Sequence, residues 1–427
     1  MVRQGTARRY GPAGWRTRVG FLGFVGRLGR NRPRRPVLTL APTGDAVPPG
    51  RRHRRRRGLG SAVWLAVVPA GIVLVGLTVY AFQTVRPAAT PRPTVVVASL
   101  PYWNMGPGMS VVLMHRHAVN EVSPWMYGIS SDGAIAPGPG VGTPAFTRYL
   151  DRLRAEGLPI VPTIANVDAR GNWSYLPVAR MLHDPALTGR QVAAIVALVE
   201  RNSYAGIDID YENLQARDRQ AFTAFVTRLA AALHAKHKIL SVALFAKAND
   251  AGYAPRNVAQ DYAAIGRVAD QVRLMGYDRH WSTSPPGPIA PVGWIRAVLR
   301  YAKTQIPAQK IILGIPFYGY DWVGHHGTSV TWMQAVGLAR AHHATIRYDA
   351  IHQAPWFSYT DASGHRHTVW FENTDSTTAK LGLAQTAGIG GVYLWMYGNA
   401  EPSTWSVLHH VLPTGRHSAV PIAQEAA

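Results

Sequence analysis

Three acidic residues occupy alternate positions in the short segment YAGIDIDYENL, and they are Asp208, Asp210 and Glu212. Because successive side chains of a β-strand point to opposite faces, this spacing would stack three carboxyl groups about 6–7 Å apart on one face. Burial of unpaired carboxylates is costly, and neighbouring carboxyl groups raise each other's pKa. A metal ion or arginine partners could also stabilise such a stack. The spacing favours acid–base chemistry, with Glu212 as a general acid that the two aspartates tune and orient.

From Val95 onward, strand-like and helix-like segments alternate along the chain. Eight apolar segments have the character of strands, and amphipathic segments separate most of them. The strand candidates cover residues 94–103, 121–129, 158–166, 206–214, 239–247, 271–278, 310–322 and 390–398. This pattern predicts an α/β fold, a (β/α)8 TIM barrel over residues 95–412, with Glu212 nearest its C-terminal mouth. An open doubly wound sheet is the alternative, but the sequence has no dinucleotide fingerprint or Walker loop to support it.

One connection is too long for a loop and a single helix. Residues 323–388 contain a helix-like segment, TWMQAVGLARAHH, and two strand-like arms joined by ASG. This composition predicts a small α+β insertion between strands seven and eight. Because the insertion follows a strand, we expect it at the C-terminal mouth of the barrel, where it would form one wall of a groove.

Several motifs resemble those of one known family. The segment GIDIDYE is similar to the D-x-x-D-x-D-x-E pattern on strand four of the family 18 glycoside hydrolases, the chitinase-like group. MGYD at 275–278, LGIPFYGYDW and Trp395 in GGVYLWMYG resemble strands six, seven and eight of that family. LGIPFYGYDW and VWFENTDSTTAKL resemble the spore-germination branch, which acts on peptidoglycan. Ala205 stands where the pattern has its first aspartate, a departure that concerns the tuning of the acids.

The resemblance implies a substrate-assisted mechanism, in which the 2-acetamido carbonyl of the substrate is the nucleophile. Glu212 would protonate the glycosidic oxygen and then activate water. Asp210 would hold the acetamido N–H and share a proton with Asp208, while Tyr277 would orient the acetyl carbonyl. These four residues are the predicted catalytic residues.

Five further residues are predicted to bind the sugar. Trp395 would form an apolar floor under the distorted ring, and Asp278 would contact sugar hydroxyls or Glu212. The weaker candidates are Tyr102, Met275 and Asn213. For Asn213, a role in a turn or a helix cap fits the sequence equally well.

The remaining aromatic and histidine residues indicate no cofactor. Four tryptophans could either stack on sugar rings or pack in the core, and they are Trp281, Trp322, Trp356 and Trp370. The paired histidines lack a metal-ligand spacing such as H-E-x-x-H, so neither a metal nor a cofactor is expected. The chain has no cysteine, which excludes disulfides and thiol nucleophiles.

Positive charge is concentrated near the N-terminus. Residues 1–57 contain sixteen arginines and one acid, so most of the net charge of +22 belongs to this segment. Residues 1–58 are predicted to form a disordered cytoplasmic tail, and residues 59–82, which are uncharged over 24 positions, a transmembrane signal-anchor helix. A cleaved signal peptide is the alternative. Residues 83–94 are predicted to be a proline-containing linker, and residues 413–427 a flexible tail.

These features predict a membrane-anchored, extracytoplasmic, retaining glycosidase with its N-terminus in the cytoplasm. The expected substrates are β-1,4-linked glycans that contain N-acetylglucosamine, either peptidoglycan or a chitin-like polymer, and a short tether favours the cell envelope. We expect a monomer and no nucleic-acid partner. The alternative function is a non-catalytic, lectin-like glycan-binding protein on the same barrel. Such proteins typically lose the acid that is present here as Glu212.

Overall fold

The structure, a computed structural model, describes residues 94–411. The predicted cytoplasmic tail (1–58), anchor (59–82) and C-terminal tail (413–427) lie outside this range, as does the linker (83–94) apart from Thr94. Within residues 94–411, no helix is both long enough and apolar enough to cross a bilayer.

Eight parallel strands close into a barrel. They are β1 (Val95–Pro101), β2 (Glu121–Ile129), β3 (Thr163–Ala165), β4 (Gly206–Asp210), β5 (Ile239–Phe245), β6 (Gln271–Met275), β7 (Ile311–Pro316) and β8 (Gly391–Trp395). Each strand pairs with the next along the chain, and β1 also pairs with β8. Val97 of β1 lies opposite both Glu121 and Tyr393, so the sheet has no open edge at this point. The predicted (β/α)8 barrel is confirmed, and the open-sheet alternative was wrong.

Helices cover the outside of the barrel. The outward-facing residues of the acidic segment anchor β4 to the helix Arg219–His234, because Tyr211 stacks on Phe225 with ring centroids 5.7 Å apart. Apolar contact outside and acids inside explain how one strand carries both patterns. The longer described helices are Met105–Met114, Pro144–Ala155, Tyr175–His183, Pro185–Arg201, Arg219–His234, Tyr262–Val268, Val292–Gln305, Trp332–Ala341, Thr374–Ala387 and Thr404–Val411.

The strands on either side of β2 in the sheet differ from the prediction in length or number. The candidate at 158–166 yields only the three residues of β3, since Pro159 and Pro162 lack the N–H that a strand ladder needs. A short strand that was not predicted, Ile135–Pro137, pairs antiparallel with β2 and forms a hairpin at the barrel rim.

The insertion after β7 is a five-stranded antiparallel sheet with one helix, Trp332–Ala341. Its strands, in spatial order, are His326–Val330, Gly319–Val323, Arg366–Trp370, Ala354–Thr360 and Arg347–Asp349. The helix packs on one face of the sheet, where Ala335, Ala339 and Phe357 belong to a small apolar core.

The insertion lies at different bounds from the predicted 323–388. The apolar run 310–322 conceals a break, because β7 ends at Pro316 and Gly319–Val323 pairs with the insertion's own strands. Gly319 allows this close pairing, since a Cβ there would lie 2.3 Å from the carbonyl oxygen of Trp370. At the other end, Thr374–Ala387 packs against the barrel helices and strands, so it belongs to the barrel.

Candidate active site

Strand β4 carries two of the three acids into the barrel. Asp208 and Asp210 are both buried, and Glu212 follows two residues after the strand ends, half-buried at the mouth. Asp208 accepts a hydrogen bond from the Thr163 hydroxyl at 2.9 Å. Asp210 accepts one from the indole N–H of Trp125 at 3.1 Å. The structure therefore brings the predicted stack together at the C-terminal end of the barrel.

A buried arginine lies beneath the acids. The guanidinium of Arg273, from β6, pairs with Asp208 at 3.3 Å and with Glu121 at 2.6 Å. It also donates to the Ser123 hydroxyl at 2.6 Å. Arginine partners are one way to stabilise such a stack, but Arg273 was not among the predicted site residues. Arg273 and Met275 are two positions apart in β6, so their side chains point to the same inward face. This two-residue spacing is the pattern that also identified the acids.

An asparagine side chain holds the backbone of Glu212. Asn166, which is fully buried, accepts a hydrogen bond from the Glu212 N–H at 2.7 Å and donates one to the Glu212 carbonyl oxygen at 2.9 Å. Asn166 directly follows β3, so a loop on the neighbouring strand sets the direction in which Glu212 leaves β4. Sequence patterns contained no signal for this contact.

The acids at the mouth hold their protons more tightly than ordinary carboxyl groups. Burial, reinforced by the charge of Asp208, raises the pKa of Asp210 to about 7. Burial also raises the pKa of Glu212 well above its usual value, with further contributions from Asp210 and Asp278. The nearby Arg256 opposes this rise in the Glu212 pKa. A glutamic acid with a raised pKa is suited to donate a proton.

Asp278, at the end of the MGYD segment, lies near enough to Glu212 for its charge to help raise the Glu212 pKa. Although open to the cleft, its carboxylate accepts hydrogen bonds from the hydroxyls of Tyr318 at 2.6 Å and Tyr320 at 3.3 Å. Desolvation raises the pKa of Asp278 to about 6, and the two hydroxyl donors oppose that rise. Its backbone is left-handed, with φ of 55°. Both tyrosines follow β7, in the segment that the sequence analysis merged with that strand.

Tyr277 has a partner that the motifs did not indicate. Its hydroxyl lies 2.6 Å from the hydroxyl of Tyr393 in β8, and the pKa of Tyr277 is raised well above the usual value by burial and by that neighbour. Met275 is buried below, in an apolar cluster against which Tyr277 and Trp395 pack. The structure thus places Met275 in the packing under the cleft, while Tyr277 reaches the level of the acids.

Aromatic rings form one side of the cleft. Trp395 lies 6.5 Å from both Trp125 and Trp103, measured between ring centroids. Tyr102 stacks near Trp125 at 6.3 Å. Trp103, which the motif analysis did not single out, is 42% exposed and presents an apolar surface. The predicted Trp395 and Tyr102 are therefore part of one aromatic wall.

The other tryptophan candidates separate into core and surface positions. Trp322 is fully buried, and its indole N–H donates to the carbonyl oxygen of Trp281 at 3.2 Å. Trp281 is 41% exposed. Trp356 and Trp370 stack on each other in the insertion sheet, with centroids 5.6 Å apart. Only Trp281, of these four, presents a largely free ring.

Asn213 is exposed beside Glu212 and also has a left-handed backbone, with φ of 56°. Its side-chain oxygen accepts a hydrogen bond from the Arg256 guanidinium at 3.3 Å. Asn213 therefore lies where the chain turns at the barrel mouth, directly after Glu212. Among residues 94–411, no group of three or more histidine and acidic side chains has the geometry of a metal site.

Several solved structures resemble the barrel described above. Solved structures with the same fold include a chitinase from Chromobacterium violaceum, with TM-score 0.70 and 31% identity over 75% of this chain and 99% of that one. The Bacillus cereus spore cortex-lytic enzyme SleL superimposes with TM-score 0.68 and 28% identity over 76% of each chain.

A curated relative, the cortical fragment-lytic enzyme of Bacillus anthracis, is 32% identical over 271 residues. That match covers 62% of this chain and 63% of the relative, so the chain spans less than two thirds of that protein. The model of glycosyl hydrolases family 18 matches residues 170–400, a range that includes the acidic segment, Asp278 and Trp395. Because this match covers more than half of the 427 residues, the chain belongs to glycosyl hydrolases family 18.

Proposed function

We propose that this family 18 glycoside hydrolase cleaves β-1,4-linked glycans containing N-acetylglucosamine by a substrate-assisted, retaining mechanism. The observation that carries the proposal is the position of Glu212, an acid with a raised pKa at the barrel mouth, directly above Asp210 and Asp208. Barrel enzymes do their chemistry at this end of the strands.

The first step transfers the proton of Glu212 to the glycosidic oxygen. The bond from that oxygen to the anomeric carbon breaks, and the acetamido carbonyl oxygen of the same sugar forms a new bond to the carbon, giving a cyclic oxazolinium ion. Asp210 accepts a hydrogen bond from the acetamido N–H. Its Oδ1 atom is suited to this role because it is buried and accepts no hydrogen bond from the described residues.

The second step reverses the roles of the groups. The Glu212 carboxylate takes a proton from water, the water oxygen attacks the anomeric carbon, and the ring of the oxazolinium ion opens with net retention. The Tyr277 hydroxyl donates a hydrogen bond to the acetyl oxygen. In this arrangement the Tyr393 hydroxyl, 2.6 Å away, donates a hydrogen bond to the Tyr277 oxygen and so orients it. Trp395 and the aromatic wall provide an apolar surface for the C–H face of the sugar.

Peptidoglycan of the cell envelope is the preferred substrate within this proposal, with chitin-like polymers second. The names of the cortical fragment-lytic and spore cortex-lytic relatives support peptidoglycan, and the chitinase from Chromobacterium violaceum keeps chitin-like polymers open.

We also propose that residues 59–82 anchor the enzyme in the membrane with the barrel outside. That proposal rests on the sequence of a segment outside the described residues.

The decisive experiment is Glu212→Gln in the full-length chain, with peptidoglycan and chitin oligomers as substrates and products identified by mass. Loss of the transferable proton should lower kcat by about 10²-fold or more, with a small change in KM. Glu200→Gln is the matched control, because Glu200 is an exposed glutamate on the outer helix Pro185–Arg201.

Equal product formation by wild type and Glu212→Gln would contradict the enzymatic proposal. A lectin-like protein would instead bind the oligomers without cleaving them in either form. Inhibition by an N-acetylglucosamine thiazoline tests the substrate-assisted step separately, because this compound mimics the cyclic intermediate. Hydrolysis that is lost in Glu212→Gln yet unaffected by the thiazoline would exclude substrate assistance.

A further inference from the structure

The loop after β5 places an arginine beside the general acid. Arg256 lies on the short helical turn Pro255–Val258, and its guanidinium packs over the ring of Phe245, 4.3 Å from the centroid. It donates to the side-chain oxygen of Asn213 at 3.3 Å. Asn213 is the residue next to Glu212, so the cation lies at the rim of the cleft, close to the position where the glycosidic bond would be cleaved.

The loop that carries Arg256 is braced from below. The ammonium group of Lys247, which is fully buried, donates to the carbonyl oxygens of Asn257 at 3.1 Å and Gln260 at 2.7 Å. The Gln260 side chain in turn accepts a hydrogen bond from the N–H of Phe245 at 2.7 Å. These contacts hold the turn against β5, so the guanidinium is pre-organised and loses little freedom when it binds a ligand.

In the described part of the chain, Arg256 forms no ion pair. Among residues 94–411, no carboxylate lies within ion-pair distance of its guanidinium, whereas Arg219 and Arg273 each contact two. The acids that Arg256 faces are Glu212 and Asp278, and the pKa of each is raised by burial. Arg256 is therefore a half-buried, pre-positioned cation that contacts the aromatic ring of Phe245 and the side-chain oxygen of Asn213.

We propose that Arg256 binds a free lactyl carboxylate on the glycan and so selects peptide-free chains that contain N-acetylmuramic acid over neutral N-acetylglucosamine polymers. The proposal rests on the proposed function and deepens it by naming the substrate class. A peptide-free N-acetylmuramic acid residue differs from N-acetylglucosamine by a lactyl ether that ends in a carboxylate, whereas an attached stem peptide converts that carboxylate into an amide. Guanidinium and carboxylate form charge-assisted, bidentate hydrogen bonds, and a neutral polymer offers no such partner.

Arg256 has a competing role, the tuning of Glu212. Its positive charge lowers the Glu212 pKa, so its removal would raise that pKa and alter the rate on every substrate. A ratio of two substrates removes this effect, since both are cleaved through the same acid. Selectivity, and not rate alone, is therefore the quantity to measure.

The experiment compares kcat/KM of the full-length chain at pH 6.5 for three tetrasaccharides. They are chitotetraose, the peptide-free alternating N-acetylglucosamine–N-acetylmuramic acid tetrasaccharide, and the same compound with its lactyl carboxylates capped as methyl amides. The variants are Arg256→Gln and Arg256→Lys, and Arg300→Gln on the outer helix Val292–Gln305 is the control.

We expect Arg256→Gln to lower the ratio of free-acid to chitotetraose cleavage by about tenfold or more, as for a lost hydrogen bond to a charged group. Arg256→Lys should retain part of the ratio, and Arg300→Gln all of it. The amide-capped compound should be cleaved like chitotetraose by wild type. An unchanged ratio in Arg256→Gln, or equal cleavage of the acid and its amide by wild type, would overturn the proposal.

Failure of the proposed function has a different signature, namely no cleavage of any tetrasaccharide by wild type. Calorimetric binding to the Glu212→Gln chain then still decides the role of Arg256. The carboxylate site is supported if the Glu212→Gln chain binds the free-acid tetrasaccharide more tightly than the amide-capped one, and if the double variant Glu212→Gln/Arg256→Gln loses this preference. Equal binding of the two tetrasaccharides by the Glu212→Gln chain excludes the site.

Discussion

Asp208 and Asp210 lie on the same face of β4, yet their surroundings differ. Asp208 has a guanidinium partner, Arg273, at 3.3 Å, whereas Asp210 is held by the neutral indole N–H of Trp125. Burial, reinforced by the charge of Asp208, raises the pKa of Asp210 to about 7. The proposed mechanism uses this raised pKa, because it requires a proton that the two acids share.

The raised pKa of Asp210 predicts a pH dependence of stability. The folded state binds this proton more tightly than the unfolded chain does, so the free energy of unfolding should fall as pH rises from about 4 to about 7. Asp210→Asn cannot ionise. We expect its stability relative to wild type to increase across that window by up to about 4 kcal/mol, measured by urea unfolding. The exposed Asp151→Asn is the control, and a pH-independent difference for Asp210→Asn would contradict the prediction.

The buried ion pairs of Arg273 give a second prediction at this scale. Arg273→Met leaves Glu121 and Asp208 buried without their cation, and we expect a loss of about 3–5 kcal/mol in the free energy of unfolding. The double variant Arg273→Met/Glu121→Gln removes one of the stranded charges and should recover part of that loss. Urea unfolding of the wild type, both variants and Glu121→Gln gives a double-mutant cycle. If the changes in unfolding free energy for Arg273→Met and Glu121→Gln simply add up in the double variant, Arg273 and Glu121 are not coupled.

At the scale of elements, the site is assembled where strands end and loops begin. Glu212, Asp278 and Asn213 all lie beyond their strands, and the last two have left-handed backbones. The barrel fixes the strand ends, while side chains from neighbouring loops fix the direction of the chain after them. Asn166 performs this task for Glu212.

Replacement of Asn166 by alanine should therefore impair catalysis beyond its effect on folding. The two hydrogen bonds to the Glu212 backbone would be lost, and small displacements of a catalytic group are costly. We expect kcat to fall about tenfold or more with little change in KM. Asn202→Ala, which removes a hydrogen bond to the Leu198 carbonyl oxygen far from the mouth, is the matched control. Equal kcat values for the two variants would exclude a positioning role for Asn166.

The insertion contributes to the site through the residues at its junction with the barrel. Tyr318 and Tyr320, at the junction of β7 and the insertion, donate to Asp278. The same junction carries Trp322 in a buried cluster with Tyr318 and Ile289. These hydrogen bonds connect the insertion to Asp278, a neighbour of Glu212, and so connect its position to the proposed chemistry.

At the scale of the whole molecule, charge divides the chain into unequal parts. Sixteen arginines precede the uncharged run at 59–82, and the barrel follows it. For the proposed membrane anchor, the positive-inside rule predicts that the barrel lies outside the membrane, on the side of the envelope glycans.

Cell fractionation tests this arrangement. We expect the full-length chain in the membrane fraction after salt and carbonate washing, and a variant without residues 59–82 in the soluble fraction, because the apolar run supplies the insertion energy. Protease added outside spheroplasts should digest the barrel and leave the N-terminal tail. Release of a fragment that begins after residue 82 would instead support a cleaved signal peptide.

The sequence by itself determined the features that repeat along the chain. Period-two acids identified β4 and its inward face, eight strand–helix repeats identified the barrel, and short motifs identified the family. Local periodicity is sufficient for these, since each depends on neighbours a few residues apart. The sequence also named Asp278, Tyr277 and Trp395, because their motifs resemble those of known strands.

Only the tertiary structure decided which distant residues meet those acids. Arg273 lies 65 positions from Asp208, Asn166 lies 46 from Glu212, and Tyr393 lies 116 from Tyr277. Contacts of this kind arise from barrel closure, which no periodicity encodes. The same reason explains the end of β7, where a continuous apolar run changes from one sheet to another through side-chain and backbone pairing that forms only in the folded chain.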